Sequence, residues 1–377
     1  MIVFNKPSVT DLEQKYISDA LSLKKLCGDG NYTKKVYEIF KNKLGVENIL
    51  LTTSCSHALD MTAILADLQP GDEVIAPSYT FVSTVNAFVL RGAVPVFCDV
   101  EPRTMNIDPD KIEELITPKT KAIYAVHYAG VVCDMDKIND IAKRRGLLVI
   151  EDAAQAVGSV YKNKYPAGTI GDMGAYSFHE TKNYVMGEGG ALIVKSPELF
   201  EKAEIIREKG TDRSRFWRGQ VDKYTWQMTG SSYLPSDVLA AMLTAQLERF
   251  DEIMEKRMSV WNRYNEAFAE DEAAGRIIRP FIPDYSTHNA HMYYMFLPSL
   301  EKRSSVIEGL SEKGVQAVFH YIPLHSAPNG VRVTGGRKFD LPVTEEYADR
   351  LMRLPLWADM TDGEVTKVIE SVKELIK

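Results

Sequence analysis

The chain is 377 residues long, 45% hydrophobic and 26% charged, the balance of an ordinary globular protein with room for one large domain and a smaller one. Its formal net charge of -7 argues against non-specific nucleic-acid binding, which needs a basic footprint, so the cations for any phosphate-bearing ligand have to be local. Cys27, Cys55, Cys98 and Cys133 are scattered and none sits at CxxC spacing, which leaves no zinc ribbon or redox pair and fits reduced thiols in the cytoplasm. The opening MIVFNKPSVTDLEQKY lacks the charged-then-apolar order of a signal peptide. Every apolar stretch falls short of the roughly 20 residues a membrane span requires. A cytoplasmic protein with no nucleic-acid partner and no membrane association is expected.

Thr10 with Glu13 reads as a capping box that opens a helix running to about Leu23. The loop Cys27-Gly28-Asp29-Gly30-Asn31 leads to a second helix, roughly Thr33 to Leu44, stopped by Gly45. An alternation follows. NILLTT is a strand and SHALDMTAILADL a helix that PGDE ends. EVIAP is a strand, TFVSTVNAFVLRG a helix, VPVFCDV a strand, and the segment after Asp108 a helix. KAIYAVHY is a strand, MDKINDIAKRRG a helix and LLVIED a strand. These strands are near-continuous apolar runs, the pattern of strands buried on both faces in a largely parallel sheet flanked by helices, so the fold class is α/β. One helix is expected at about Pro235 to Phe250 and a long one at about Asp251 to Ala269. Beyond them HMYYMFL and VQAVFHY read as strands, RSSVIEGLSEKG and EVTKVIESVKELI as helices, together a smaller α+β domain. The division is therefore 1–249 for the large domain with its N-terminal segment and 250–377 for the small one. No repeat or low-complexity tract interrupts it.

Ligands of a buried parallel sheet bind at the carboxyl ends of its strands, so the residues after each apolar run carry the interest. LLVIEDAAQAVG, 147–158, places Asp152 where a strand leaves the core. YSFHETKN, 176–183, delivers Ser177, His179 and Lys182 just past another. TSCSHALDM, 53–61, leads a strand end into a helix N-terminus. The set answers the needs of pyridoxal phosphate (PLP). These are a lysine to form an imine with its aldehyde, a carboxylate to keep the pyridine nitrogen protonated, a helix start for the phosphate, and an aromatic plane to stack on the ring. Lys182, Asp152, the Ser56-His57 helix start and Phe81 supply one each. Taken singly, each is ordinary. A lysine after a strand is usually a solvated surface group, an Asp there a cap or turn residue, Ser56 a helix cap and Phe81 a core residue. Spacing alone does not decide.

PSYTFVST, EDAAQ and SFHETKN, in that order and register, resemble the motifs of the sugar aminotransferase family of fold-type I PLP enzymes, within the aspartate aminotransferase superfamily. The likeness runs from GDGNYTKK to LPLW near residue 357. KLCGDGNYT, HETKNY, GEGG, IIREKGTDRS, RGQVDKYTW and VFHYIPLH resemble, more narrowly, the branch that makes dTDP-4-amino-4,6-dideoxygalactose. The resemblance implies an aspartate-aminotransferase-like large domain, PLP as cofactor, and particular roles. Lys182 carries the cofactor imine, Asp152 pairs with the pyridine nitrogen, and Gln155 hydrogen-bonds the ring hydroxyl. Ser177, Ser56 and His57 hold the phosphate, and Phe81 stacks on the ring. Two positions depart from the family pattern. Ser232, in GSSYLPSD, stands where many members have an Asn that reaches the phosphate from the other subunit, and Cys55 stands where many have Gly.

Other residues divide between functional and structural readings. His288 and His291, at i, i+3, lack a third ligand nearby and read as polar core or surface, so no metal is expected. His320 and His325, in HYIPLH, are candidate substrate contacts, and the resemblance puts His325 near the substrate's pyrophosphate. KGTDRSRFWRGQVDKY reads either as a solvated loop or as a clamp for thymidine diphosphate, with Arg213, Arg215 and Arg218 as phosphate donors. GEGG, 187–190, is followed by the strand-like ALIV, which rejects a dinucleotide reading. The implied reaction moves an amino group from glutamate to a dTDP-linked 4-keto-6-deoxy sugar in a homodimer with shared active sites. The runner-up is the glucose-configured epimer or another nucleotide. Dehydration is disfavoured because relatives that dehydrate replace the lysine with histidine, and a regulatory role because the Lys182, Asp152 and Gln155 set is intact.

Overall fold

The computed structural model describes residues 1–377. Eleven strands occur in chain order: β1 Ile49–Thr52, β2 Glu73–Pro77, β3 Val94–Cys98, β4 Thr120–Val126, β5 Leu148–Asp152, β6 Val160–Tyr161, β7 Tyr165–Pro166, β8 Met173–Ser177, β9 Gly190–Val194, β10 Tyr293–Phe296 and β11 Leu351–Leu354. Seven form one sheet in the order β3-β2-β4-β5-β8-β9-β1, in which all strands run the same way except β9, antiparallel to both its neighbours β8 and β1. The near-continuous apolar runs are buried as their pattern requires: β4, β5 and β8 place almost every residue in the core, and helices cover both faces. Because these strands are parallel and in register, Val126, Asp152 and Ala175 lie side by side at one sheet edge. Ser177 ends β8 opposite Gly190. On the other face of β5, the buried Glu151 accepts from the Gly168, Ile170 and Gly171 amides and pairs with His127 at 2.8 Å, which fixes the strand end from beneath.

The local signals act as expected at most positions. Thr10 and Glu13 form both halves of the capping box on helix Asp11–Ser22. The second helix, Asn31–Ile39, closes with a π turn over Phe40–Leu44, and Gly45 takes the left-handed φ of 67° that ends it. The segment after Asp108 is shorter than expected, a 3-10 turn Pro109–Lys111 followed by one helical turn, Ile112–Leu115.

A second buried cluster gathers Val260, Trp261, Tyr264, Tyr293, Met295, Met352, Leu354, Val365 and Val368 around the β10–β11 pair. VQAVFHY is not a strand. It contributes only single bridges, Val315 to Ile2 and Val318 to Arg353, and residues 319–321 then turn toward the site instead of pairing. The partner of β10 is β11, from the LMRL stretch. The N-terminal segment joins this cluster too, since Ile2 is buried in it and Phe4 N–H donates to Gln316 Oε1 at 2.9 Å. Helix Phe250–Ala267 serves both cores: Phe250 and Ile253 pack under the sheet, and Val260, Trp261 and Tyr264 pack in the second cluster. No helix is long and apolar enough to cross a membrane.

Candidate active site

A cavity of about 740 Å³ opens at the carboxyl edge of the sheet. Four pieces of chain close it: the start of helix Cys55–Leu65, the turn before helix Val82–Val89, the β8–β9 loop, and segments of the second cluster at His291, His320-Tyr321 and Arg353. Of the residues singled out in the sequence, Lys182, Asp152, Gln155, Ser177, Ser56, Phe81 and His320 all line it.

Lys182 sits on a loop clasped by its own backbone, with Phe178 N–H donating to Gly189 O and Met186 N–H to Phe178 O. The next residue ties that loop to the second cluster: Asn183 Nδ2 donates to Asn289 O at 2.7 Å, and its Oδ1 meets His291 Nδ1 at 2.9 Å. The Lys182 amine makes no hydrogen bond or ion pair with the chain. Burial lowers its pKa below the ordinary lysine range, against the opposing pull of the Cys55 thiol and Asp152. Asp152, 6% exposed, accepts from Thr84 Oγ1 at 2.7 Å and from Ala154 N–H at 3.1 Å. Thr84 is in turn bonded to Thr80. Gln155 is held at both ends of its amide, accepting from Ala129 N–H at 2.7 Å and donating to Tyr321 OH at 3.0 Å. Phe81 presents a ring that is 55% exposed, facing Tyr321 with centroids 6.2 Å apart.

The helix start is open as an anion site. Ser54 caps it by accepting from His57 N–H, while the Cys55 and Ser56 N–H groups find no acceptor in the chain. Ser56 and Ser83 share a hydrogen bond at 2.7 Å beside them. The helix approaches so closely because β9 begins with Gly190: a Cβ there would meet Cys55 N at 2.3 Å. That is the structural use of GEGG, whose last glycine begins a strand and opens no helix.

Other expected contacts lie elsewhere. The His57 imidazole turns from the cavity to bond Thr53 and pack on Tyr233. His325 is held between Ser78 and Glu345, outside the cavity. His288 packs on Trp261 with centroids 4.3 Å apart, so it and His291 serve different surroundings. Arg213, Arg218 and Ser232 line a second cavity of about 950 Å³, with Lys25, Lys34, Arg207 and Lys209. The three loop arginines are bridged to their own chain, Arg215 to Glu201 at 2.7 Å, Arg218 to Glu204 at 2.8 Å and Arg213 to Glu208 at 3.6 Å. The sequence reading missed Thr84, Tyr321, Arg353, and the N-terminal Phe4 and Asn5, all of which border or support the Lys182 cavity. Of these, Tyr321, inside HYIPLH, and Thr84, the last residue of PSYTFVST, lay in segments already of interest.

The profile of the DegT/DnrJ/EryC1/StrS aminotransferase family matches residues 7–373. The chain belongs to that family. Among DegT/DnrJ relatives, it is 35% identical to the spore coat polysaccharide biosynthesis protein SpsC of Bacillus subtilis, over 89% of this chain and 87% of that one. It is 32% identical to GDP-perosamine synthase of Caulobacter vibrioides, covering 98% and 97%. To the dTDP-4-dehydro-2,3,6-trideoxy-D-glucose 4-aminotransferase of Saccharopolyspora spinosa it is 31% identical, covering 93% and 90%. It superposes on the PLP-form of Spr1654 from Streptococcus pneumoniae with a TM-score of 0.90 at 27% identity, covering 100% and 98%. The fold is that of the aspartate aminotransferases, and DegT/DnrJ enzymes are PLP-dependent sugar aminotransferases. The cavity fits that cofactor. It offers an amine with no partner in the chain, a buried carboxylate, two free helix-start amides with neighbouring Ser56 and Ser177 hydroxyls, and an exposed aromatic ring.

Proposed function

We propose that this sugar aminotransferase transfers the amino group of L-glutamate to C4 of dTDP-4-keto-6-deoxy-D-glucose, giving dTDP-4-amino-4,6-dideoxy-D-galactose and 2-oxoglutarate for a surface polysaccharide. The observation that carries the chemistry is the unpaired Lys182 amine sharing one cavity with buried Asp152. PLP, when bound, supplies an aldehyde that takes the amino group and a ring that accepts an electron pair. Lys182, whose amine burial makes easier to deprotonate, takes the proton from the donor's α-carbon and later delivers one to C4 of the sugar. Asp152, steadied by Thr84, keeps the ring nitrogen protonated. Gln155 steadies the ring hydroxyl, Ser56, Ser177 and the helix-start amides hold the phosphate, and Phe81 stacks on the ring.

The dTDP assignment is supported by the segments shared with the dideoxygalactose branch and by a relative named as a dTDP-sugar 4-aminotransferase. In the same reading the working unit is a homodimer. Arg213, Arg218 and Ser232 line the second cavity, Arg215 belongs to the same loop, all are apart from their own chain's Lys182 cavity, and they would serve the partner's site. The similarity to GDP-perosamine synthase across nearly the whole chain favours, as a second reading, a GDP-linked keto-sugar. Incubation with glutamate and dTDP- and GDP-linked 4-keto-6-deoxy sugars, with products read by NMR, decides between them. The first reading expects fastest turnover of the dTDP sugar and an axial amino group at C4. A glucose-configured product, or preference for the GDP sugar, defeats it.

A further inference from the structure

His291 and His320 both line the Lys182 cavity from the side of the second cluster, and the chain fixes a different tautomer in each. Burial holds both imidazoles well below the usual histidine range, so each is uncharged at neutral pH and carries one ring proton. For His291 the place of that proton follows from Asn183. Asn183 Nδ2 donates to Asn289 O at 2.7 Å, which leaves Oδ1 as the atom 2.9 Å from His291 Nδ1. An amide oxygen only accepts, so Nδ1 carries the hydrogen and Nε2 presents a lone pair. The ring is firmly seated. His291 N–H donates to Asn289 Oδ1 at 3.1 Å, and Arg257 donates to Ala290 O and His291 O at 3.1 and 2.7 Å, across a turn in which Ala290 takes a left-handed φ of 48°. In His320 the proton lies on the other nitrogen. Nδ1 is 2.7 Å from the hydroxyl of Tyr128, which is fully buried and makes no other hydrogen bond. Tyr128 therefore donates, Nδ1 accepts, and Nε2 carries the hydrogen. Neither Nε2 has a partner in the chain, so the cavity holds one neutral acceptor and one neutral donor that await a ligand.

We propose that His291 and His320 together grip the C3 hydroxyl of the sugar, so that the enzyme selects 4-keto sugars that keep this group. This rests on the sugar aminotransferase reading and narrows its substrate class. A hydroxyl donates and accepts at once, which matches a lone pair and an N–H in one cavity. The amino donor does not complete the pair. Its carboxylates only accept, which leaves His291 Nε2 with nothing, and its amine is the reacting group. On a 4-keto-6-deoxy sugar, C4 has two neighbours. C5 carries a methyl group and C3 a hydroxyl. Once C4 is presented to Lys182, the C3 hydroxyl is the polar group that enters the same cavity, while the diphosphate hangs from C1 across the ring. A substrate without it leaves both ring nitrogens desolvated and unpaired, a penalty that apolar contact does not offset.

The test compares 4-keto-6-deoxyglucose with its 3-deoxy analogue, each supplied in dTDP- and GDP-linked form to enzyme loaded with pyridoxamine phosphate. Single turnover is followed by the absorbance of the bound cofactor. Wild type should use the analogue about 100-fold less well than the full substrate. His291→Asn keeps an N–H for Asn183 and lacks the far acceptor. In it the rate with the full substrate should fall by about tenfold or more, while the analogue and the separate half-reaction with L-glutamate change by less than about threefold. Nitrogen NMR of histidine-labelled wild type at neutral pH should show His291 protonated at Nδ1 and His320 at Nε2. Equal use of the two sugars by wild type overturns the proposal. So does a fall in His291→Asn that the analogue or glutamate shares, which would make His291 structural, and so does a charged ring or a like pair of tautomers. If His291→Asn fails to hold the cofactor, the wild-type comparison and the NMR still decide. Amination of neither sugar while glutamate still reacts defeats the parent reading and this one with it, an outcome distinct from equal use of both.

Discussion

Asp152 is buried but supplied with two hydrogen-bond donors, Thr84 Oγ1 and Ala154 N–H. Replacement by Asn keeps the shape and removes the charge that would hold the ring nitrogen protonated. Asp152→Asn should retain cofactor but slow the single-turnover reaction with glutamate by on the order of 100-fold. A wild-type rate would show that the carboxylate is not needed. A different kind of signature belongs to the buried histidines. His288 is pushed down to about 4 by burial, and His291 and His320 lie well below their usual range. Below pH 6.5 the unfolded chain takes up protons at these positions and the folded chain does not, so stability falls as pH falls. For His288 the loss runs from about pH 6.5 to 4, with a slope of at most roughly 1.4 kcal/mol per pH unit. Urea midpoints measured across this window should decline less steeply in His288→Phe than in wild type.

At the scale of elements, the contact between helix Cys55–Leu65 and β9 sets the anion site. Gly190 is required by close approach, because a methyl group there meets helix backbone and no flexible side chain. Gly190→Ala should push the helix start outward and raise the dissociation constant for PLP about tenfold, as measured by equilibrium dialysis, while β9 keeps its pairing. The elements also show what was legible beforehand. β5 and β8 announce Asp152 and Lys182 because apolar runs buried on both faces end abruptly in polar residues at the ligand-binding edge. β11 was missed because it is four residues long with Arg353 in its middle, which breaks the apolar pattern. VQAVFHY has strand composition, but it makes a single bridge to Arg353 before turning away, a tertiary choice that no local pattern encodes. Thr84 read as an ordinary helix residue because its bond to Asp152 joins positions far apart in sequence. His57 was expected at the phosphate, yet its ring pairs with the Thr53 hydroxyl and turns away.

For the whole molecule, the separation of the Lys182 cavity from the arginine-lined cavity makes shared sites testable by complementation. A Lys182→Ala chain lacks the reacting amine, and a chain with Arg213, Arg215 and Arg218 all replaced by Ala lacks the proposed clamp. Each alone should be nearly inert. Mixed under conditions of demonstrated subunit exchange, the two should recover roughly a quarter of wild-type activity, because half the dimers are hybrids and each hybrid holds one intact site. No recovery would assign the arginines to their own chain's lysine or to no site, and a monomer in sedimentation would end the argument.

Helix Phe250–Ala267 gives the molecule one more property. Its 18 residues make a rod about 27 Å long. Near the lysine loop its first ring stacks on Tyr184 with centroids 4.4 Å apart, and farther along Trp261 and Tyr264 sit in the other core. Neither core can melt without stripping a wall from the other. Heating should therefore produce a single calorimetric peak, and mild protease treatment should release no long-lived C-terminal fragment, because the rod that would have to be cut loose is the one both halves are built on.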